Sequence, residues 1–255
     1  MIRRFAMGLV IVGGMAYVAP AFALETGDDT IGLGSIFQFA EGAAQPERIS
    51  TTLAMFIMLT VLSLAPALIM MTTSFIRIIV VLGFLRQAMA TQQSPPNQVL
   101  VGLALFLTFF IMAPTYQRVY DDAFVPYTNE ELSMQEAWNA GLAPMREFML
   151  RQTKDRDIAV FMNIAQKPAP RNFDDVPTTV LIPAFVTSEL SQAFVIGFVI
   201  YIPFLIIDMV VASTLMAMGM MMLPPVFVSL PFKIILFVLA DGWYLLVTGL
   251  VSSFK

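Results

Sequence analysis

Two apolar blocks in the last third of this 255-residue chain, residues 182–222 and 226–251, restrict its fold more than any other feature. Each exceeds the roughly 20 residues that a helix needs to cross the hydrocarbon core of a bilayer. Backbone placed in hydrocarbon must satisfy its own N–H and C=O groups, so blocks of this kind fold as helices. Residues 53–71 and 99–113 repeat the pattern on a smaller scale. With 58% hydrophobic and 13% charged residues and a mean hydropathy of +0.79, polar surface is scarce throughout. The expected fold class is all-α: polytopic, membrane-protein-like helical hairpins with a small helical extracytoplasmic insertion.

Punctuation along the chain gives the domain order. Residues 1–23 carry Arg3 and Arg4, an apolar stretch from Phe5 to Val18, and Ala21-Phe22-Ala23 in the small-x-small pattern of a signal-peptidase site. They read as a cleaved secretory signal peptide. Residues 24–50, with Gly27, Gly32, Gly34, Gly42 and Pro46 and no sustained periodicity, read as a flexible periplasmic arm. Residues 51–117 form a first apolar helical hairpin, turning at Gln92-Gln93-Ser94-Pro95-Pro96-Asn97 and ending at Pro114.

Residues 118–180 hold seven Lys or Arg among many acids and read as a polar periplasmic domain closed by a Pro-rich linker, Lys167-Pro168-Ala169-Pro170 and Val176-Pro177. A helix is expected to start at Pro144, with Met145, Phe148 and Met149 on one face, and Ile158, Phe161 and Met162 repeat the theme. Residues 181–255 form a second apolar hairpin that turns at a Met-rich stretch. A cleaved signal leaves the new N-terminus outside. Four spans then place Arg77 and Arg86 on the cytoplasmic side and the polar domain in the periplasm, in keeping with the positive-inside rule for short loops.

Asp208, Lys233 and Asp241 are ionisable residues within the C-terminal blocks, and each would cost several kcal/mol facing lipid alone. A hairpin brings residues equidistant from its apex to one depth. An apex between Met220 and Met221 levels Asp208 with Lys233, an opposite-charge pair; an apex at Pro224-Pro225 levels Asp208 with Asp241 instead. The first register is favoured, because two acids at one depth would hold a proton permanently. Met218, Met220, Met221 and Met222 place four flexible thioethers at the turn, where they serve either as core filler or as an adaptable seal.

Neither cysteine nor histidine occurs, which removes disulfides, thiolate nucleophiles, Cys/His zinc sites and Ser-His triads. No catalytic residue, metal site or cofactor is expected. A formal charge of −4 without runs of like charge gives no footprint for nucleic acid. Three readings remain: a protein-conducting channel subunit, a proton-coupled transporter using Asp208, Lys233 and Asp241, and an intramembrane aspartyl protease using Asp208 and Asp241. No phosphate loop and no inverted repeat is visible.

Ile182-Pro183-Ala184-Phe185-Val186-Thr187-Ser188-Glu189-Leu190 and Ile202-Pro203-Phe204-Leu205-Ile206-Ile207-Asp208 resemble the two signature segments of the FliP family, inner-membrane components of the flagellar type III export gate. The resemblance extends to Thr73-Ser74-Phe75-Ile76-Arg77-Ile78-Ile79-Val80-Val81-Leu82, to Pro95-Pro96-Asn97-Gln98-Val99-Leu100 and to the Met-Pro-Pro stretch, covering the chain from about Ser50 onward. One departure is Ser191-Gln192-Ala193-Phe194, where many members carry a basic residue after the Glu-Leu pair. The resemblance implies a pentamer-like homo-oligomer in the bacterial inner membrane at the flagellar basal body, assembled with FliQ and FliR and passing unfolded export substrates. It assigns Met220, Met221 and Met222 to a gasket around the pore, and places Glu189 in a signature segment, as a polar contact to a neighbouring helix or subunit or as a pore-lining group. It also implies that some apolar helices are buried against sister copies rather than lipid.

Overall fold

A computed structural model of the chain describes residues 46–91, 94–170, 172, 175–220 and 222–254; the expected signal peptide and most of the expected arm lie outside the described residues. In chain order the elements are α1 (Pro46–Met71), α2 (Phe75–Ala88), α3 (Asn97–Val119), a π-helical turn (Tyr120–Phe124), α4 (Val125–Thr128), α5 (Met134–Gln152), α6 (Asp155–Ile164), α7 (Thr178–Ala217), α8 (Pro225–Leu239) and α9 (Gly242–Ser252). The fold is all-α, with no strand among the described residues. The runs Asn97–Thr128 and Thr178–Ala217 are each long and apolar enough to cross a membrane, and counting each bent helix pair as one span raises the number to four.

The chain divides into two compact units, Met1–Val61 and Leu62–Lys255. Of the first, the described part is the start of α1, where Met55, Phe56, Ile57, Met58 and Leu59 are all exposed. The second holds two apolar cores. In one, Ile78, Val81, Leu82 and Leu85 follow the 3.6-residue period along α2 and meet Leu100, Ala104 and Leu107 of α3, Ala193 and Phe204 of α7, Phe237 of α8, and Leu246 and Leu250 of α9. In the other, Phe148 and Met149 of α5 and Ile158 and Met162 of α6 close on Val180, Leu181, Ala184 and Phe185 of α7 and on Met112 of α3.

This second core shows what the polar insertion packs on. Its apolar stripes are filled by the first turns of α7, so the insertion has no hydrophobic core apart from the helical body, and the expected boundary at residue 180 falls inside one continuous helix. Two expected helix ends also move. Pro114 lies inside α3, exposed, while Met112 and Thr115 beside it are buried; packing on either side of it outweighs one lost backbone bond. The helix expected from Pro144 begins at Met134, because Ser133 and Glu136 form a reciprocal capping box ahead of it.

The 40 residues of α7 make a rod of about 60 Å at 1.5 Å per residue. Its first third is buried under the insertion, whereas Phe194, Phe198, Ile202, Met209 and Met216 further along are exposed. That outer stretch has no polar face: hydrocarbon or another apolar protein surface is its natural solvent. α2 runs beside α7 in the same direction, with Arg77 against Glu189, then Phe84 against Phe194 at 5.2 Å between ring centroids. Gly197 makes this approach possible, since a Cβ there would stand 2.5 Å from the Phe84 ring.

Gly197→Ala therefore overpacks the α2/α7 seam, and a loss of about 1–3 kcal/mol is expected as a lower thermal midpoint of the detergent-solubilised protein. An unchanged midpoint would show that the seam opens freely. The capping box gives a pH effect at α5. The backbone N–H and hydroxyl of Ser133 hold the Glu136 carboxyl below its ordinary value of 4.5. Stability of the first turn is then full above pH 4.5 and lost as pH falls through the depressed value, so the protection of amides at Met134 to Ala137, measured against their intrinsic exchange rates, should fall only in that acid range.

Candidate functional site: two buried charge clusters and a methionine turn

Arg77 and Glu189 are both fully buried and joined in a two-pronged ion pair: Arg77 Nε donates to Glu189 Oε2 at 2.8 Å and Nη2 donates to Glu189 Oε1. The remaining N–H groups reach Gln152 Oε1 at 3.0 Å, the Ser253 carbonyl at 2.8 Å and Ser253 Oγ at 3.1 Å. All five donors of the guanidinium are thereby engaged, which is what allows it to be buried. The expected place of Arg77 is corrected by this geometry. A residue 3.0 Å from Gln152 of the insertion cannot lie across a bilayer from that insertion. Arg77 sits in the first turn of α2, at the level of the insertion.

Arg86 belongs to the connection between α2 and α3. Half-buried near the end of α2, its Nη1 donates to Asn97 Oδ1 at 2.5 Å and to the Pro95 carbonyl at 3.4 Å, tying the two arms of the hairpin across the turn. Nine residues of helix separate it from Arg77, about 14 Å. The two arginines thus have different surroundings and different work.

The second cluster lies further along α7. Lys233 Nζ donates to Asp208 Oδ2 at 2.7 Å and to the Ala88 carbonyl at 2.9 Å, and Ser229 Oγ donates to Asp208 Oδ1 at 2.6 Å. Lys233 is 2% exposed, and the Asp208 side chain 29%. The structure thus levels Asp208 with Lys233 rather than with Asp241, and the ring pair Phe204 and Phe237, 6.4 Å apart, shares that register. By taking the Ala88 carbonyl, Lys233 also places its charge at the negative end of α2, so three helices meet on one ammonium.

Asp241 joins neither cluster. It is exposed, in the left-handed conformation at φ 49°, where α8 and α9 meet at 64°. The apolar block 226–251 is consequently broken, with Trp243 packed edge-on against Phe237 at the bend. A left-handed residue is tolerated by Asp because its short side chain can bond locally.

The methionine turn follows from a helix terminator. Gly219, at φ 72°, ends α7: its N–H reaches the Met216 carbonyl at 3.0 Å and the Met220 N–H reaches the Leu215 carbonyl at 3.0 Å. This is the Schellman arrangement, which favours glycine at the left-handed position. Pro224 and Pro225 then start α8. Between them Met220 is 43% and Met222 98% exposed, while Met221 lies outside the described residues.

Sequence reasoning missed Ser229, one helical turn before Lys233 and fully buried, and the pairing of Ser188 Oγ with Asp157 Oδ2 at 2.6 Å in the insertion. Ser229 carried a readable signal, since i and i+4 share a helix face. Gln152, Ser253 and Phe254 carried none, because their meeting depends on tertiary packing.

An all-helical body whose apolar flanks face outward and whose charges are neutralised by partners inside it defines an integral membrane protein. The comparisons narrow the class. The FliP family model matches residues 58–250, and the chain belongs to that family. It is 54% identical over 212 residues to the flagellar biosynthetic protein FliP of Bacillus subtilis (strain 168), covering 83% of this chain and 96% of that protein. Identity to the FliP of Pectobacterium carotovorum subsp. carotovorum is 57% over 198 residues, 78% of this chain and 77% of the relative. With the FliP of Caulobacter vibrioides it is 48% over 254 residues, 100% of this chain and 92% of the relative.

Removing the acid of the second cluster by Asp208→Ala strands a buried ammonium, and a loss of about 3–5 kcal/mol is expected in thermal unfolding. Asp208→Leu combined with Lys233→Met should recover most of that loss. If the double variant is no more stable than Asp208→Ala, the pair is not what fixes the register.

Proposed function

We propose that this chain is a subunit of the flagellar protein export apparatus in the bacterial inner membrane at the basal body. In this reading, sister copies and the FliQ and FliR subunits surround a path for unfolded export substrates. Family membership and the names of the relatives support the assignment to flagellar biosynthesis. The outward apolar stretch of α7 supports association, since those side chains must be covered by lipid or by neighbours.

The observation that carries the gate reading is the methionine turn. Met222, at 98%, is the most exposed large hydrophobic side chain among the described residues, and it stands on a tip about 14 Å of helix beyond Asp208. Thioether side chains are unbranched, polarizable and quick to repack. A ring of such tips contributed by several copies can close against ions and still yield to a passing chain. The two charge clusters then act as assembly and alignment devices: Asp208 and Lys233 fix the register of the tip, while Arg77 and Glu189 fix the helices that carry it. Domains follow the same division, with a helical body, an extracytoplasmic insertion and a methionine-tipped hairpin. No proton relay is assigned, because Asp241 lies apart from the charge pair at an exposed bend.

Replacing Met220, Met221 and Met222 together with Ala tests the gasket. Ion conductance across membranes containing the assembled complex should rise several-fold, with the complex still forming. Conductance equal to that of the unaltered protein in an intact complex would remove the gasket reading.

A further inference from the structure

Ser253 and Phe254, just beyond α9, occupy a place that neither the charge clusters nor the methionine turn explains. The Ser253 carbonyl and hydroxyl both accept from Arg77 Nη1, as described above. The Phe254 ring lies under the guanidinium, 3.8 Å from Arg77 Cζ to the ring centroid. Its other ring contact is Phe148 of α5, nearly parallel at 19° with centroids 6.4 Å apart. The Phe254 carbonyl accepts from Gln152 Nε2 at 3.4 Å. Phe254 also packs against both apolar cores, which makes it a physical joint between them.

Together these contacts join the insertion, through Phe148 and Gln152 of α5, to Arg77 of α2 in the helical body. The insertion is otherwise held by its stripe on the first turns of α7, by the buried hydrogen bond from Ser188 to Asp157, by Lys154 on Ser188 and Ser191, by the direct bond from Arg77 to Gln152, by Arg146 on Thr178 and Val176, and by exposed ion pairs such as Arg118 with Glu147, which stabilise little. Without the dipeptide, the Nη1 edge of a fully buried guanidinium loses its acceptors, and the apolar seam beside it opens. A planar aromatic ring is suited to the slot because its face attracts the cation on one side and stacks on the other.

We propose that Ser253 and Phe254 are a clasp that locks the polar insertion onto the helical body by completing the ligand shell of Arg77 and wedging one ring between Arg77 and Phe148. The clasp is distinct from any pore role and does not depend on one. Its effect is local: it sets how readily α5 and α6 lift from α7 while leaving the α2/α3 hairpin closed.

Hydrogen–deuterium exchange of the full-length protein in detergent reads this directly. Phe254→Leu keeps an apolar side chain but removes the aromatic face. Amides of residues 145–164 should then exchange about tenfold faster, those of residues 100–107 in α3 should not change, and Phe254→Tyr should retain the original rates. Unchanged exchange at 145–164, or equal acceleration at 100–107, would overturn the clasp. If Phe254→Leu fails to accumulate, Gln152→Ala, which removes only the amide links to Arg77 and Phe254, gives the same comparison on folded protein.

Discussion

A guanidinium with no access to water is the constraint on which the rest of this fold depends. Arg77 cannot shed its charge, and an uncompensated cation in an apolar body costs several kcal/mol, a large fraction of the net stability of a domain. Five N–H groups must therefore find acceptors, and they draw them from α5, α7 and the segment after α9. These elements are far apart in the chain: Glu189 is 112 residues from Arg77 and Ser253 is 176. A local change at Arg77 is consequently felt by the insertion, the long helix and the last helix together.

The second cluster does for register what the first does for assembly of the body. A hairpin of two nearly featureless apolar helices can slide, because one buried leucine packs much like another. Lys233 ends that freedom by requiring both the Asp208 carboxylate and the Ala88 carbonyl at once. Slipping by a single residue would rotate the ammonium by about 100° and lose both. Electrostatics thus supplies the specificity, and burial the bulk of the driving force.

Much of the architecture could be read from the sequence because hydropathy and punctuation are strong signals here. The all-α class, the hairpin turn at Ser94-Pro95-Pro96 and the Met-rich turn all followed from apolar length and from Gly and Pro. The FliP family could be recognised from two signature segments of the sequence alone. Where the reading strayed, tertiary burial overruled a local rule. Pro114 was expected to end a helix that in fact runs through it, and a Ser-x-x-Glu cap at Ser133 was passed over for Pro144. Arg77 was expected on the cytoplasmic side from a count of four spans after a cleaved signal, and such a count does not know which charges have partners. The pairing of Asp208 with Lys233 rather than Asp241 lay within reach of spacing alone. The gathering of Gln152, Ser253 and Phe254 did not, since no periodicity connects residues a hundred positions apart.

The exposed tip of the long hairpin has a chemical cost as well as a mechanical use. Met222 offers its sulfur to solvent with almost no shielding. Peroxide or hypochlorous acid would add one oxygen there, turning a greasy, pliant side chain into a polar, chiral sulfoxide. The softness that suits a thioether to a yielding constriction makes the same position perishable under oxidative stress, and leaves its upkeep to the enzymes that reduce methionine sulfoxide.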